Sequence, residues 1–303
     1  MLNKKLFKIV LVALFLFPSS VFGATFDTLV VFGDSLSDNG NLYSETSQTT
    51  PSSLAYYQGR FSNGPVWVEY LVDADYLDCT LVNEAYGGDE STDLLDQVDS
   101  YVLGTLPANA LFVVWIGAND LLDQVRTPSE IVANIETALE ELASFGAESI
   151  LVLNLPNLGA LPVVISTGNS ALIDYANEIS LEFSSALASM IDDFNSDHPT
   201  ISIYELDVYS FFEDISEDPD TYGFTNVTQE SPNFSVNNNF DNSAGYLFWD
   251  DIHPSTEGHA ELADKAYQLL NPGDDSDSDD DDDSSDSDGN GAGSSCFIGQ
   301  LFH

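Results

Sequence analysis

Thr28-Leu-Val-Val-Phe-Gly-Asp-Ser-Leu-Ser-Asp-Asn-Gly-Asn41 is the stretch from which the rest of the chain is organised. Leu29 to Phe32 is a short apolar run rich in β-branched residues, the pattern of a strand buried on both faces. It stops at Gly33, and small polar residues follow. A buried strand that ends in a Gly-Asp-Ser turn presents a hydroxyl at the carboxyl edge of its sheet, where open α/β sheets bind ligands. Ser35 is therefore a candidate nucleophile. Read by itself, the stretch fits equally a turn in which Asp34, Ser35 and Asp38 only cap and bend the backbone.

Further along come more strands that end in glycine or polar turns. Leu81-Val-Asn-Glu-Ala-Tyr-Gly-Gly88 reads as a short strand running into a glycine pair. Ala110-Leu-Phe-Val-Val-Trp-Ile-Gly117 is an uncharged strand that ends in Ala118-Asn119-Asp120. Residues 149–154 and 201–206 supply two more strands. Helices are expected at 66–72 with Pro65 at the first position, at 91–103, from Thr127-Pro-Ser-Glu130 to Gly146, at 170–194 and at 255–270. Residues 41–58 read as a polar loop, and residues 207–248 show neither a helical nor a strand period. Strands alternating with helices specify an α/β fold: a three-layer α/β/α sandwich on a parallel five-stranded sheet.

The second decisive stretch is Phe248-Trp-Asp-Asp-Ile-His-Pro254. An Asp three residues before a His can fold back and accept the Nδ1 proton, which leaves Nε2 as a base. Asp250 has this spacing to His253, and Asp251 is a rival on physics alone. The plainer reading lets His253 open the last helix with Pro254 in its first turn. His198 and His259 lack a spaced carboxylate and read as surface or packing residues, and Cys79 as a buried apolar filler. An ester hydrolase needs a nucleophile, a base, an orienting carboxylate and oxyanion donors. Ser35, His253 and Asp250 supply the first three. The Gly88 N–H and the Asn119 amide, each just past a strand, offer the fourth.

These motifs, together with Gly59-Arg-Phe-Ser-Asn-Gly-Pro-Val-Trp67, resemble the GDSL lipases and esterases, also called SGNH hydrolases. Within that family the chain looks most like the lecithinase/haemolysin, acyltransferase and plant-esterase branch, over about residues 26–271. The resemblance implies a flavodoxin-like SGNH hydrolase fold and an acyl-enzyme mechanism without metal or cofactor. It implies Ser35, Asp250 and His253 as catalytic residues and Ser35, Gly88 and Asn119 as the oxyanion hole. It also decides between the two aspartates, because the family's spacing is Asp-x-x-His. The Gly-x-Ser-x-Gly elbow of α/β-hydrolases is absent, since position 37 is Ser. One departure is the lack of any cysteine in residues 207–248, where relatives often carry a pair.

Charge and termini bound the setting. The 303 residues hold 51 Asp+Glu against six Lys+Arg, a formal net charge of −45. Nucleic acid is excluded as a partner, because almost nothing can neutralise phosphates. Residues 1–23 carry Lys4, Lys5 and Lys8 ahead of an apolar run at 9–17, and small residues precede position 24. This is the pattern of a cleaved signal peptide, and the run is too short for a bilayer span, which needs about twenty residues. The expected organisation is signal peptide 1–23, catalytic domain 24–271, disordered Asp/Ser-rich linker 272–290 and a tail 291–303 suited to sorting or attachment. The expected function is a secreted hydrolase of lipid or other small-molecule esters with no integral membrane span. The alternatives are a carbohydrate acetyl-esterase on the same frame and a surface-tethered, non-catalytic binding protein. An acidic body of this kind repels itself unless ions screen it, which suits saline surroundings. Its melting temperature is expected to rise as NaCl is added; a flat or falling trend in a salt series followed by circular dichroism refutes that.

Overall fold

The computed structural model describes residues 25–102, 104–236, 239–240 and 243–272. The expected signal peptide, the Asp/Ser-rich linker apart from Pro272, and the tail at 291–303 lie outside the described residues. Five parallel strands form the central sheet: β1 (Thr28–Gly33), β2 (Thr80–Asn83), β3 (Ala110–Trp115), β4 (Ser149–Leu153) and β5 (Ser202–Leu206), in the order β2-β1-β3-β4-β5. β1 and β3 carry the runs that read as buried strands, and both are buried essentially throughout. Burial on both faces explains why their sequences show no alternation.

The helices divide between the two faces. α1 (Asn41–Glu45) and α6 (Pro162–Ile165) are short single turns, the first within the stretch that reads as a polar loop, and α2 (Trp67–Leu71) packs on α9 (Thr256–Leu270). α3 (Asp93–Val102), α5 (Pro128–Phe145) and α7 (Ser170–Asp197) pack one on the next on the other face. Right-handed crossovers require this split, because the chain moves outward from β1 in both directions. The expected three-layer α/β/α sandwich with a parallel five-stranded sheet is the observed architecture.

Several boundaries differ from the sequence reading. The helix after Pro65 begins at Trp67, with Val66 as its cap and the Glu69 carboxylate accepting the Val66 N–H at 3.0 Å. Pro65 therefore stands before the helix, not in it. α5 starts as expected, with Thr127 and Glu130 forming a capping box. Residues 207–248 are not structureless. Asp207 caps a helix, α8 (Val208–Glu217), whose Phe211, Phe212 and Ile215 are buried. A separate two-stranded ladder joins Asn226–Glu230 to Tyr246–Phe248. The aromatic content of that stretch is what hid the helical period of α8. Cys79 is only half-buried; it packs on the core edge, and burial pushes its thiol up to about 11. Among the described residues no helix is long and apolar enough to cross a membrane.

The loops after the strands are tied down by side chains that read as simple turn residues. Asp38 is fully buried, and its carboxylate accepts the N–H groups of Gly40 (2.7 Å), Asn41 (2.6 Å) and Leu42 (3.2 Å). It also accepts Gly87 N–H at 2.9 Å, in the loop after β2. Asn41 adds two bonds from Nδ2 to the carbonyls of Asn83 and Ala85. One carboxylate thus pins the turn after β1 to the turn after β2. Replacing it by alanine leaves four buried or half-buried donors without their acceptor, each worth about 1–3 kcal/mol. Asp38→Ala is expected to cost at least about 3 kcal/mol in urea unfolding; a loss below about 1 kcal/mol means the turns hold without it.

Candidate active site

Every strand of a parallel sheet ends on the same edge, and three of the turns there carry the polar residues singled out in the sequence. β1 and β3 run in register to their ends, with Gly33 opposite Trp115. The approach is close: a Cβ on Gly33 would lie 2.4 Å from the Trp115 carbonyl oxygen. Only glycine lets β1 finish beside β3 and then turn into Asp34 and Ser35. After β2 the chain reaches Gly88, whose φ of 88° lies in the left-handed region. After β3 it enters a short helix, α4 (Ala118–Leu122), with Asn119 in its first turn.

The remaining groups come from a hairpin between the ladder strand Tyr246–Phe248 and α9. Trp249 N–H donates to the His253 carbonyl at 2.8 Å, and Ser255 N–H to Leu247 at 2.8 Å. Ser255 then caps α9, so His253 lies in the turn before the helix and does not open it. Inside this turn Asp250 Oδ1 accepts the N–H groups of Ile252 (2.8 Å) and His253 (2.6 Å). Oδ2 lies 2.7 Å from His253 Nδ1. Asp251, the rival, is exposed.

The structure brings Ser35, His253 and Asp250 into one chain: Ser35 Oγ lies 2.8 Å from His253 Nε2. A carboxylate only accepts, so Nδ1 carries the proton and Nε2 is free to accept from the serine hydroxyl. Burial would lower the His253 pKa, but the Asp250 charge and its hydrogen bond outweigh it and hold the imidazole above its ordinary value. Asp250 is buried, which would raise it, yet the facing imidazole and its donors keep it below the usual carboxylate range. The ring of Phe61 lies 5.1 Å from that of His253 and covers one face.

Gly88 and Asn119 follow β2 and β3, on the sheet edge where Ser35 follows β1. Asn119 Nδ2 donates one proton to the Asp89 carbonyl at 2.8 Å, which fixes the amide and leaves its second proton unused by that bond. Among the described residues neither the Ser35 nor the Gly88 N–H has a backbone acceptor. Of the other histidines, His198 is a surface residue bonded to Glu140, and His259 is buried in packing, its pKa driven down to about 3 by burial.

The sequence reading left out Tyr56 and Gln97, and took Asp34 as a turn residue only. Tyr56 lies in the polar loop, and its hydroxyl donates to Asp250 Oδ2 at 2.6 Å. Gln97, on α3, bonds both backbone groups of Gly33. Asp34 is fully buried with Oδ2 unpartnered, and burial pushes its carboxyl up to about 7. No sequence signal marks Tyr56. The others carried one: a glutamine on the face of a helix whose other members are apolar, and an acid directly after a buried strand.

Two clefts flank the site. A small apolar cavity is lined by Leu36, Leu122, Ile252 and Pro254, neighbours of Ser35 and His253. It shares Leu122, Leu158 and Ile252 with an apolar cleft of about 320 Å³ that runs past Leu121, Val163 and Tyr175. A more polar cleft of about 620 Å³ lies beside Glu230, Tyr246 and Asp251. Residues 207–248 contribute to the polar cleft but not to the larger apolar one.

Comparison with known proteins bears on this arrangement. The model of the GDSL-like lipase/acylhydrolase family matches residues 29–266. The chain is 27% identical to a phosphatidylcholine-sterol acyltransferase of Aeromonas hydrophila, over 81% of this chain and 90% of that protein. It is 27% identical to the thermolabile hemolysin of Vibrio parahaemolyticus and 24% identical to the secreted effector protein SseJ of Salmonella typhimurium, over 80% of this chain in each case. It spans only 63% of the length of each of these two. An acetylxylan esterase from Geobacillus stearothermophilus superposes with a TM-score of 0.52 at 17% identity, covering 82% of this chain and 96% of that one, which is a likeness of fold. With a family match across most of its length and the SGNH fold beneath it, this chain belongs to the GDSL-like lipase/acylhydrolase family, as an SGNH-type hydrolase.

Proposed function

We propose that the protein is an exported serine hydrolase of lipid carboxylic esters, working through an acyl-enzyme on Ser35. The observation that carries this is the unbroken hydrogen-bonded chain from Ser35 Oγ through His253 to Asp250, at 2.8 and 2.7 Å. In the proposed reaction Nε2 takes the serine proton as Oγ attacks the ester carbonyl. Negative charge grows on the carbonyl oxygen and is met by the N–H groups of Ser35 and Gly88 and the second amide proton of Asn119. Collapse of the adduct expels the alcohol, which leaves with the proton held on Nε2. Water, or another alcohol, then attacks the acyl-serine by the same steps in reverse. Asp250 stays ionised throughout and holds the imidazole in its working tautomer.

The apolar cleft supports a lipid substrate: it leads away from Leu36 and Ile252 and offers an acyl chain apolar walls from Leu121 to Tyr175. Export is supported by the pattern of residues 1–23, and the catalytic unit is assigned to residues 24–271. The acidic surface supports work in a saline medium.

Ser35→Ala is expected to abolish turnover and labelling by a fluorophosphonate; labelling that survives the change refutes the acyl-enzyme. Asn119→Ala is expected to lower kcat by about two to three decades while the protein folds normally. In a panel of p-nitrophenyl acetate, p-nitrophenyl octanoate, phospholipid and acetyl-xylan, the longer acyl esters should turn over best. Leu122→Trp should then depress octanoate far more than acetate, whereas preference for acetyl-xylan would favour the carbohydrate esterase. His253 acts only when neutral, and its pKa is raised, so activity is lost as pH falls through a value above about 6.5. Asp250→Asn removes the cause of the shift and should move that acid limb downward while cutting kcat. An acid limb that does not move in Asp250→Asn would contradict the assignment of the base.

A further inference from the structure

Gln97 stands in the middle of α3, a helix whose inward face is otherwise Leu94, Val98 and Val102. It is buried, and every hydrogen-bonding group of its carboxamide is used in the space between the strand ends. Oε1 accepts Gly33 N–H at 2.9 Å, and Nε2 donates to the Gly33 carbonyl at 2.8 Å and to Asp89 Oδ2 at 2.7 Å. Gly33 lies two residues before Ser35. Asp89 follows Gly88, and its carbonyl oxygen takes the proton that fixes Asn119 Nδ2 at 2.8 Å. One side chain therefore touches the backbone behind the first oxyanion donor and the residue beside the second, and through that residue the third. A purely structural need at the end of β1 would be met by the two bonds to Gly33. The third bond, across to Asp89, closes nothing in the sheet and joins two different loops.

We propose that Gln97 is a positioning residue of the oxyanion site, holding the Ser35, Gly88 and Asn119 donors in one register through Gly33 and Asp89. This rests on the oxyanion assignment made above. An oxyanion donor acts only at the distance it has in the transition state, and a displacement of about 1 Å costs about a hundredfold in rate. Loosening the frame should therefore weaken binding of the tetrahedral adduct more than binding of the planar ester.

The test is steady-state kinetics on a short p-nitrophenyl ester, normalised to the fraction of Ser35 titrated by a fluorophosphonate, for Gln97→Leu and Gln97→Glu. Leucine keeps the volume and loses all three bonds. Glutamate keeps an acceptor for Gly33 N–H but sets a second carboxylate against Asp89. For Gln97→Leu, kcat per titrated serine should fall about ten- to a hundredfold with KM within about threefold. Affinity for a trifluoromethyl ketone, which forms the tetrahedral adduct, should fall by the same factor as kcat/KM. Gln97→Glu should lose at least as much, and adding Asp89→Asn, which restores a donor between the two side chains, should recover part of it. An unchanged kcat per titrated serine in Gln97→Leu overturns the inference, as does a rise in KM alone. If Gln97→Leu gives no folded protein, the Gln97→Glu and Asp89→Asn pair decides, and a double variant no better than the single one overturns it. A wild type that is not labelled at Ser35 removes the acyl-enzyme reading itself, and this inference falls with it.

Discussion

The 2.8 Å contact between Ser35 Oγ and His253 Nε2 joins groups 218 residues apart, and the rest of the structure exists around that closure. Neither group can be brought there by local structure alone. The serine is delivered by a strand buried on both faces, so its place is fixed by the whole core. The histidine is delivered by a hairpin whose two ends are bonded to each other before α9 begins. Short-range bonds fix each arm, and the packing of α9 on α2 sets the distance between them. Parallel topology then does the rest, because it puts the turns after β1, β2 and β3 on the same edge.

Much of this was legible in the amino-acid pattern, and the reasons are physical. β1 and β3 announce themselves because burial on both faces leaves no room for a polar residue. Asp250 and His253 are legible because three residues is the span over which a carboxylate can fold back to Nδ1. Tyr56 was not legible, since its role depends on a contact 194 residues away and its neighbourhood reads as a polar loop. Gln97 was half legible: its place on the apolar face of α3 marks it as buried, but the strand-end and loop groups that it bonds are distant in sequence. α8 was missed because Phe211 and Phe212 sit side by side, which suits a strand pattern as well as a helix, and only the Asp207 cap marks its start.

The acidic composition and the buried carboxylates are separate matters. Asp38, Asp120 and Asp250 are all buried, in a described body whose only cations are Arg60, Arg126 and Lys265. Asp38 and Asp250 take no Lys or Arg partner among the described residues; backbone N–H groups stabilise both, joined at Asp250 by the Tyr56 hydroxyl and His253. Arg126 is placed between Asp120 and Glu90 and so ties the loop after β2 to the helix that carries Asn119. Arg60 does the equivalent service at the start of α2, through Glu69. Two of the three cations therefore brace loops around the reactive edge, while the mass of surface acid is left to the solvent's ions.

The segment that carries Tyr56 also holds the hairpin of Asp250 and His253 by a second bond, from Trp249 Nε1 to the Ala55 carbonyl at 2.8 Å. That strap lies outside the sheet; Tyr56 packs against Phe61 and Phe234, and Leu54 beside it is exposed. Segments of this kind open at far lower free energy than the core. Opening of this segment therefore strips the Tyr56 hydroxyl from Asp250, while the bonds inside the hairpin keep the carboxylate on His253; the charge that orients the imidazole is tuned from outside the sheet, with the five strands still paired.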